Sequence, residues 1–192
     1  MTREIVAHAR VPELQRIANE QAANPVEQAY PAITFNGVWN RGLGDESVKA
    51  ATFTPAHTGG DIVVYFEKAN VVHVGDLVWN GLHVFVDRTP GGASATHWIT
   101  VLEDIVKTYP SDAVYICGHA GAKFQVTGTR ADVLGTRDYM TALVEFVRTQ
   151  MKAGKPRDQV IAIREVLKGF EDRGPLTARA LTGTYDELQA TS

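Results

Sequence analysis

The sequence predicts a single α/β domain, on three observations. Its 192 residues fit one domain of ordinary size, and 44% hydrophobic with 21% charged residues is typical of a folded globular chain. Short β-type runs fill the first half, whereas apolar residues recur at helical spacing from Ser94 onward. Because the sequence contains neither an internal repeat nor a linker, we expect residues 1–192 to form one unit.

Composition excludes several classes of protein. The net charge of −3, from 19 basic and 22 acidic residues, is too weak to indicate binding to nucleic acid or an anionic membrane. The single cysteine, Cys117, excludes an intramolecular disulfide framework and a cysteine-rich zinc module. No apolar run suits a membrane span or a signal peptide, so we expect no membrane partner and, for the chain as written, a cytoplasmic location.

The N-terminal elements are mostly strands. A strand at Ile5–Ala7 precedes a helix that begins at Val11 with Pro12 in its first turn, and a polar loop spans 19–31. Four further β-type runs follow, separated by Gly and Asn, at 32–35, 48–54, 61–66 and 70–74.

The C-terminal half alternates helices with one more strand. A helix with Trp98 on its apolar face ends before Tyr109-Pro110, and a buried-type strand at 113–117 follows. Helices are then predicted over 131–152 and 157–170, with a short C-terminal helix beyond Gly174-Pro175.

Three ionisable residues share a position at the end of an apolar strand, beside glycines: His57, Asp76 and His119. Open α/β sheets bind ligands at the carboxyl ends of their strands, and two imidazoles with a carboxylate suit a metal such as zinc. The alternative is structural, with hydrogen-bonded turn histidines and a turn-capping aspartate. Both interpretations remain open at this point.

The same residues lie in motifs that resemble those of the metallo-β-lactamase superfamily. The run Pro55-Ala56-His57-Thr58-Gly59-Gly60-Asp61 is similar to the family's H-T-x-G-D turn, Gly75-Asp76 to its G-D strand end, and Gly118-His119 to the G-H that carries its last histidine. The run Ile5–His8 resembles the strand that follows the family's first metal motif. The resemblance implies an αβ/βα sandwich of two similar halves.

One family motif, H-x-H-x-D-H, does not occur in these 192 residues. We therefore expect a partial sandwich, incomplete in its N-terminal half, with the whole second half present. The resemblance implies that His57 binds one metal, Asp76 bridges two metals and His119 binds the second. Zinc is the ion expected, one or two per complete site, with iron or manganese also suited to these ligands. Neither metal receives a full ligand set from this sequence.

The function implied by the resemblance is hydrolysis of a small carbonyl substrate, an ester, thioester, lactone or lactam, by metal-bound hydroxide. The alternative is a catalytically incompetent fragment or descendant that acts as a binding or assembly module or needs a complementing segment. A second copy of the chain or a complementing chain is then the expected partner.

Four other residues have two interpretations each. His83 lies in a segment that lines the substrate groove in relatives, so it is a candidate substrate contact as well as a packed histidine. Asp61 is expected to fix the His57 turn by accepting backbone N–H bonds rather than to bind metal. Lys123 is expected to be solvated, with an anionic substrate group as the alternative partner. Cys117 is expected in the core rather than at a metal.

Overall fold

The computed structural model describes residues 4–191 and arranges their strands in two sheets. Strands β1 (Val6–His8) and β2 (Ile33–Phe35) pair in parallel and are connected through helix α1 (Val11–Glu20). The main sheet has six strands in chain order: β3 (Val38–Leu43), β4 (Glu46–Thr52), β5 (Ile62–Phe66), β6 (Val71–Asn80), β7 (Val114–Ala120) and β8 (Thr127–Gly128). Strands β6 and β7 are parallel, and the other neighbours are antiparallel. The predicted mixed α/β class is confirmed.

The helices follow the sheet in the second half of the chain. They are α2 (Ala95–Thr108), α3 (Arg130–Lys152), α4 (Arg157–Ile161), a 3-10 turn at Glu171–Arg173, and α5 (Ala178–Ala190). Helix α3 begins where Thr129 and Asp132 form a capping box, and α2 ends one residue before the Tyr109-Pro110 pair. Among the described residues, none of the helices combines the length and hydrophobicity that a membrane crossing needs.

The core lies between the main sheet and helices α2, α3 and α5. Helix α3 contacts β6 and β7 as well as α2 and α5, so it is the central helix of this layer. Trp98, Leu102, Tyr139 and Leu143 are fully buried there. The expected core positions of Trp98 and Cys117 are confirmed.

Two local predictions are wrong, and strands β3 and β8 were not predicted. The helix predicted over 157–170 stops at Ile161, because Val166 instead forms a β-bridge with Pro175 and the Leu176 amide donates to Glu165 O. Strand β3 was not predicted, since Val38–Leu43 is almost wholly exposed and shows no apolar alternation. The strand predicted to end at Val74 continues to Asn80, so Asp76 lies within β6 rather than after it.

Candidate metal centre

The carboxylate of Asp76 lies between the imidazoles of His57 and His119. Its Oδ1 is 3.4 Å from His119 Nε2, and its Oδ2 is 3.9 Å from His57 Nε2. The side chain of His57 is 17% exposed, against 38% for Asp76 and 46% for His119. The structure therefore brings the three residues together through one carboxylate, and the centre is open to solvent on its His119 side.

Asp61 shapes the turn that carries His57. Its Oδ2 accepts from the backbone amide of Ala56 at 3.1 Å, and both of its oxygens accept from the Thr58 amide at 3.0 and 2.9 Å. The Thr58 hydroxyl donates to Oδ1 at 2.6 Å. Burial raises the pKa of Asp61, against the opposing effect of these hydrogen bonds. The expectation that Asp61 fixes this turn is confirmed.

The same turn is tied to the loop that precedes α2. The Ser94 amide donates to Ala56 O at 3.0 Å, and His97 Nδ1 lies 2.8 Å from Pro55 O. Ser94 also caps the N-terminus of α2, so the helix and the turn share one anchor. The position of His57 consequently depends on how firmly the N-terminus of α2 is held.

Glu187, a buried residue of α5, holds that N-terminus. Its carboxylate accepts from the Ser94 hydroxyl at 2.9 Å, from the Ala95 amide at 2.6 Å and from the Thr96 amide at 3.2 Å. Arg88 Nη1 lies 3.2 Å from Glu187 Oε2 and balances its charge. A negative charge at a helix N-terminus is favourable, and here it connects α5 to the loop behind the centre.

Two glycines let Asp76 occupy its place. Gly75 has a φ of +52°, a backbone conformation that residues other than glycine rarely adopt. The register between β6 and β7 shifts at this residue. A Cβ added to Gly118 would lie 1.8 Å from Asp76 Oδ1. The Gly-His pair on β7 thus provides the space for the carboxylate and the imidazole that faces it.

Trp79 is the aromatic residue of the centre that sequence reasoning missed. Its Nε1 donates to Asp76 O at 2.8 Å, and its ring centroid is 4.2 Å from that of His119 and 6.0 Å from that of His57. Trp98 packs on His57 from the core side, with centroids 5.5 Å apart. Trp79 reaches His119 because the two residues are paired across β6 and β7, and no local pattern reveals that pairing.

The donor chemistry of the centre suits a borderline metal, but its ligand set is partial. Imidazole nitrogen and carboxylate oxygen are the ligands that zinc takes in proteins. Across residues 4–191, however, no three His, Cys, Asp or Glu side chains are grouped so as to hold one ion. In the described residues the donors therefore lie in pairs that share Asp76, His57 with one of its oxygens and His119 with the other.

Cys117, two residues before His119, is not part of this donor set. Its Sγ donates to Val126 O at 2.9 Å, and burial raises the pKa of the thiol. A thiol in this state is a poor metal ligand, since the thiolate is the binding form.

His83 uses both ring nitrogens inside the protein. Nδ1 lies 2.9 Å from the Tyr139 hydroxyl and Nε2 lies 3.1 Å from Gly174 O. Burial lowers the pKa of His83, so the imidazole is neutral at pH 7. These contacts anchor the segment before α5, and substrate contact by His83 stays a prediction.

Comparison with known proteins gives one family match. The family model described as the metallo-beta-lactamase superfamily matches residues 2–119, which include His57, Asp76 and His119. A search of curated proteins finds no match.

The similar solved structures include lactamases and an alkylsulfatase. The metallo-beta-lactamase from Pontibacter korlensis is 18% identical with a TM-score of 0.53, over 72% of this chain and 58% of that one. The B3 metallo-beta-lactamase BLEG-1 is 15% identical with a TM-score of 0.56, over 72% and 65%. The inverting sec-alkylsulfatase Pisa1 from Pseudomonas sp. is 14% identical with a TM-score of 0.68, over 95% and 36%. At these identities the likeness is one of fold, and this chain spans less than two thirds of each of these proteins.

Proposed function

The chain belongs to the metallo-β-lactamase superfamily, and from that premise we propose that it carries part of the metal centre of a hydrolase for an ester, thioester, lactone or lactam. Members of the superfamily are generally metal-dependent, typically on zinc. The observation that carries the proposal is the position of Asp76, whose two carboxylate oxygens face His119 and His57 separately.

His57, Asp76 and His119 would hold the metal, with further ligands from another segment or another chain. A bound zinc ion supplies Lewis-acid polarisation of a substrate carbonyl. The remaining work falls to residues of this chain. Asp61 fixes the turn of His57, and the Trp79 indole donates to the backbone oxygen of Asp76 and packs on His119, so the imidazoles and the carboxylate are oriented before a ligand arrives. Substrate would enter on the exposed His119 side.

Zinc titration of the purified chain by calorimetry tests the ligand assignment. We expect weak binding, because two or three ligands are fewer than a complete site provides, and we expect Asp76→Asn to abolish it. His73→Ala is the matched control, since His73 is an exposed histidine on the same strand. Equal affinities in the wild type and Asp76→Asn would refute the ligand assignment. Tight binding of two zinc ions per chain to the wild type would refute the expected weak affinity.

Activity is measured on a chromogenic lactam and a panel of esters and lactones with added zinc or manganese. Removing partners behind metal ligands alone costs about 10–100-fold, so the 192-residue chain by itself should turn over far more slowly than a complete enzyme. A slow rate that His119→Ala abolishes and His73→Ala preserves supports the hydrolase.

The second candidate is a binding or assembly module, which the incomplete ligand grouping within the described part of the chain favours. This candidate predicts identical background rates in the wild type, His119→Ala and His73→Ala. It also predicts zinc binding that does not depend on Asp76.

A further inference from the structure

We propose that Arg173, together with Lys123, forms a binding site for a carboxylate or a similar small oxyanion. It lies in a cavity of about 200 Å³ bounded by the loop that follows His119. The inference rests on the proposed function for the identity of the ligand, the anionic group of the substrate. Binding of the anion itself requires neither metal nor turnover.

Arg173 is a largely enclosed cation with unused donors. Its Nη1 donates to Trp79 O at 2.9 Å and also to Leu82 O, and its guanidinium carbon lies 4.1 Å from the centre of the Tyr139 ring. Nε and Nη2 make no hydrogen bond, and no carboxylate pairs with the guanidinium, within residues 4–191. Burial lowers the pKa of Arg173 to about 10, so the group stays charged at pH 7. An enclosed guanidinium without a counter-charge favours an anion, and its Nε–Nη2 edge matches an oxyanion in geometry.

The charges around this cavity favour an anion. Lys123, Asp172 and Arg173 are the charged residues that line it, which leaves an excess of one positive charge. Lys123 Nζ lies 3.2 Å from Asp172 Oδ1, and these side chains are 80% and 60% exposed. An ion pair so exposed contributes at most about 1 kcal/mol, so a ligand carboxylate can replace Asp172 as the partner of Lys123 at small cost.

The other cavity that Arg173 lines does not suit an anion. Its volume is about 240 Å³, and Asp132, Glu171 and Asp172 line it beside the arginine. Three carboxylates against one guanidinium give that cavity a negative balance. An anion would therefore bind in the cavity that Arg173 lines together with Lys123.

The cavity is connected to the metal centre through Trp79. Arg173 bonds the backbone oxygen of Trp79, while His119 packs on its ring. Gly121, two residues after His119 in the sequence, also lines the cavity. Its amide donates to Asn80 O at 2.8 Å. A substrate anchored at Arg173 by an anionic group would thus be held next to the centre, and the site would select anionic over neutral substrates.

The test is an NMR titration of the metal-free chain with acetate, phosphate and sulfate at ionic strength held constant with chloride. We expect a saturable shift of the Arg173 Nε–Hε signal. Lys123→Gln should weaken binding about two- to fivefold, and Arg173→Lys, which keeps the charge and loses the planar fork, by about tenfold or more. Lys107→Gln is the matched control, because Lys107 is an exposed lysine paired with Asp104 at 3.3 Å and should leave the affinity unchanged.

Each outcome decides the inference. A shift with chloride alone, no saturation with any of the three anions, or equal weakening by Lys123→Gln and Lys107→Gln would overturn it. If Arg173→Lys does not fold, the comparison of the two lysine variants still decides. The anion that binds most tightly of the three identifies the ligand chemistry as carboxylate, phosphate or sulfate. Anion binding that depends on Lys123, in a chain whose zinc affinity is the same in the wild type and Asp76→Asn, would sustain this site and remove the proposed function, so the two can fail separately.

Discussion

Replacing Glu187 with alanine should destabilise the whole domain, because this one carboxylate holds the N-terminus of α2. The substitution leaves the Ala95 amide, the Thr96 amide and the one-third-exposed Arg88 without their common acceptor. A buried donor left without its acceptor costs about 1–3 kcal/mol, so the loss of both amide contacts should cost about 3–5 kcal/mol. Since total stabilities are about 5–15 kcal/mol, the loss is a large part of the free energy of unfolding. The melting temperature should fall by roughly 6–20 °C for a chain of this size.

The effect should depend on pH in a defined direction. Burial by itself raises the pKa of Glu187, but the hydrogen bonds from Thr96, Ser94 and Ala95 outweigh it and lower the pKa below 4.5. The folded state therefore binds this proton more weakly than the unfolded state. The contribution of Glu187 is fully present above pH 4.5 and is lost as the pH falls through the lower folded pKa. The difference between wild type and Glu187→Ala should be constant from neutral pH to about 5 and narrow below that.

Urea unfolding followed by circular dichroism at several pH values measures this difference. Glu187→Gln keeps the shape and one acceptor oxygen, so its cost should be smaller, about 1–3 kcal/mol. Arg88→Gln removes the one-third-exposed partner and should cost less than Glu187→Ala. A loss below about 1 kcal/mol for Glu187→Ala, or a difference that widens in acid, would refute the reasoning.

Three further predictions concern packing, capping and a buried histidine. Gly183→Ala should lower the free energy of unfolding in urea by about 1–3 kcal/mol, because the new Cβ would lie 2.0 Å from Val86 O. Gly135→Ala on helix α3 is the control: its new Cβ meets no atom within 4 Å, so the change should be neutral or stabilising by about 1 kcal/mol. Thr129→Ala should cost about 1 kcal/mol in thermal unfolding through loss of the α3 capping box, and an unchanged melting temperature would contradict this. Because burial lowers the pKa of His83 from 6.5, the unfolded state binds its proton first, so stability should fall as the pH drops below 6.5. His83→Gln should flatten that dependence, and an equally steep curve would count against the assignment.

Sequence patterns correctly predicted the helices and strands that depend mainly on contacts between residues close together in the chain. The end of helix α2 and both ends of helix α3 were predicted to within one residue, because each helix has an apolar stripe and these ends carry clear local signals. The helix expected over 157–170 failed for the opposite reason. Its apolar spacing includes Val166, which is 47% exposed and pairs with Pro175, a partner nine residues further on. Helical periodicity does not register such a pairing.

The candidate site divides in the same way. His57, Asp76 and His119 could be singled out from their motifs, and Asp61 from its place in the His57 turn. The roles of Trp79, Gly118 and Glu187 depend on contacts between elements far apart in the chain: β6 with β7, and α5 with the start of α2. Such contacts are set by register and packing, and a single sequence does not display them.

The arrangement of indoles around the two imidazoles allows the centre to be followed by tryptophan fluorescence. Two of the three tryptophans, Trp79 and Trp98, touch His119 and His57, while the third, Trp39, packs against Phe35. Binding of a zinc ion to an imidazole would alter the emission of the indole beside it. In a Trp39→Phe background the remaining fluorescence would come from Trp79 and Trp98 alone. These two indoles would thus report whether the proposed centre binds zinc, without a dye, a label or a substrate.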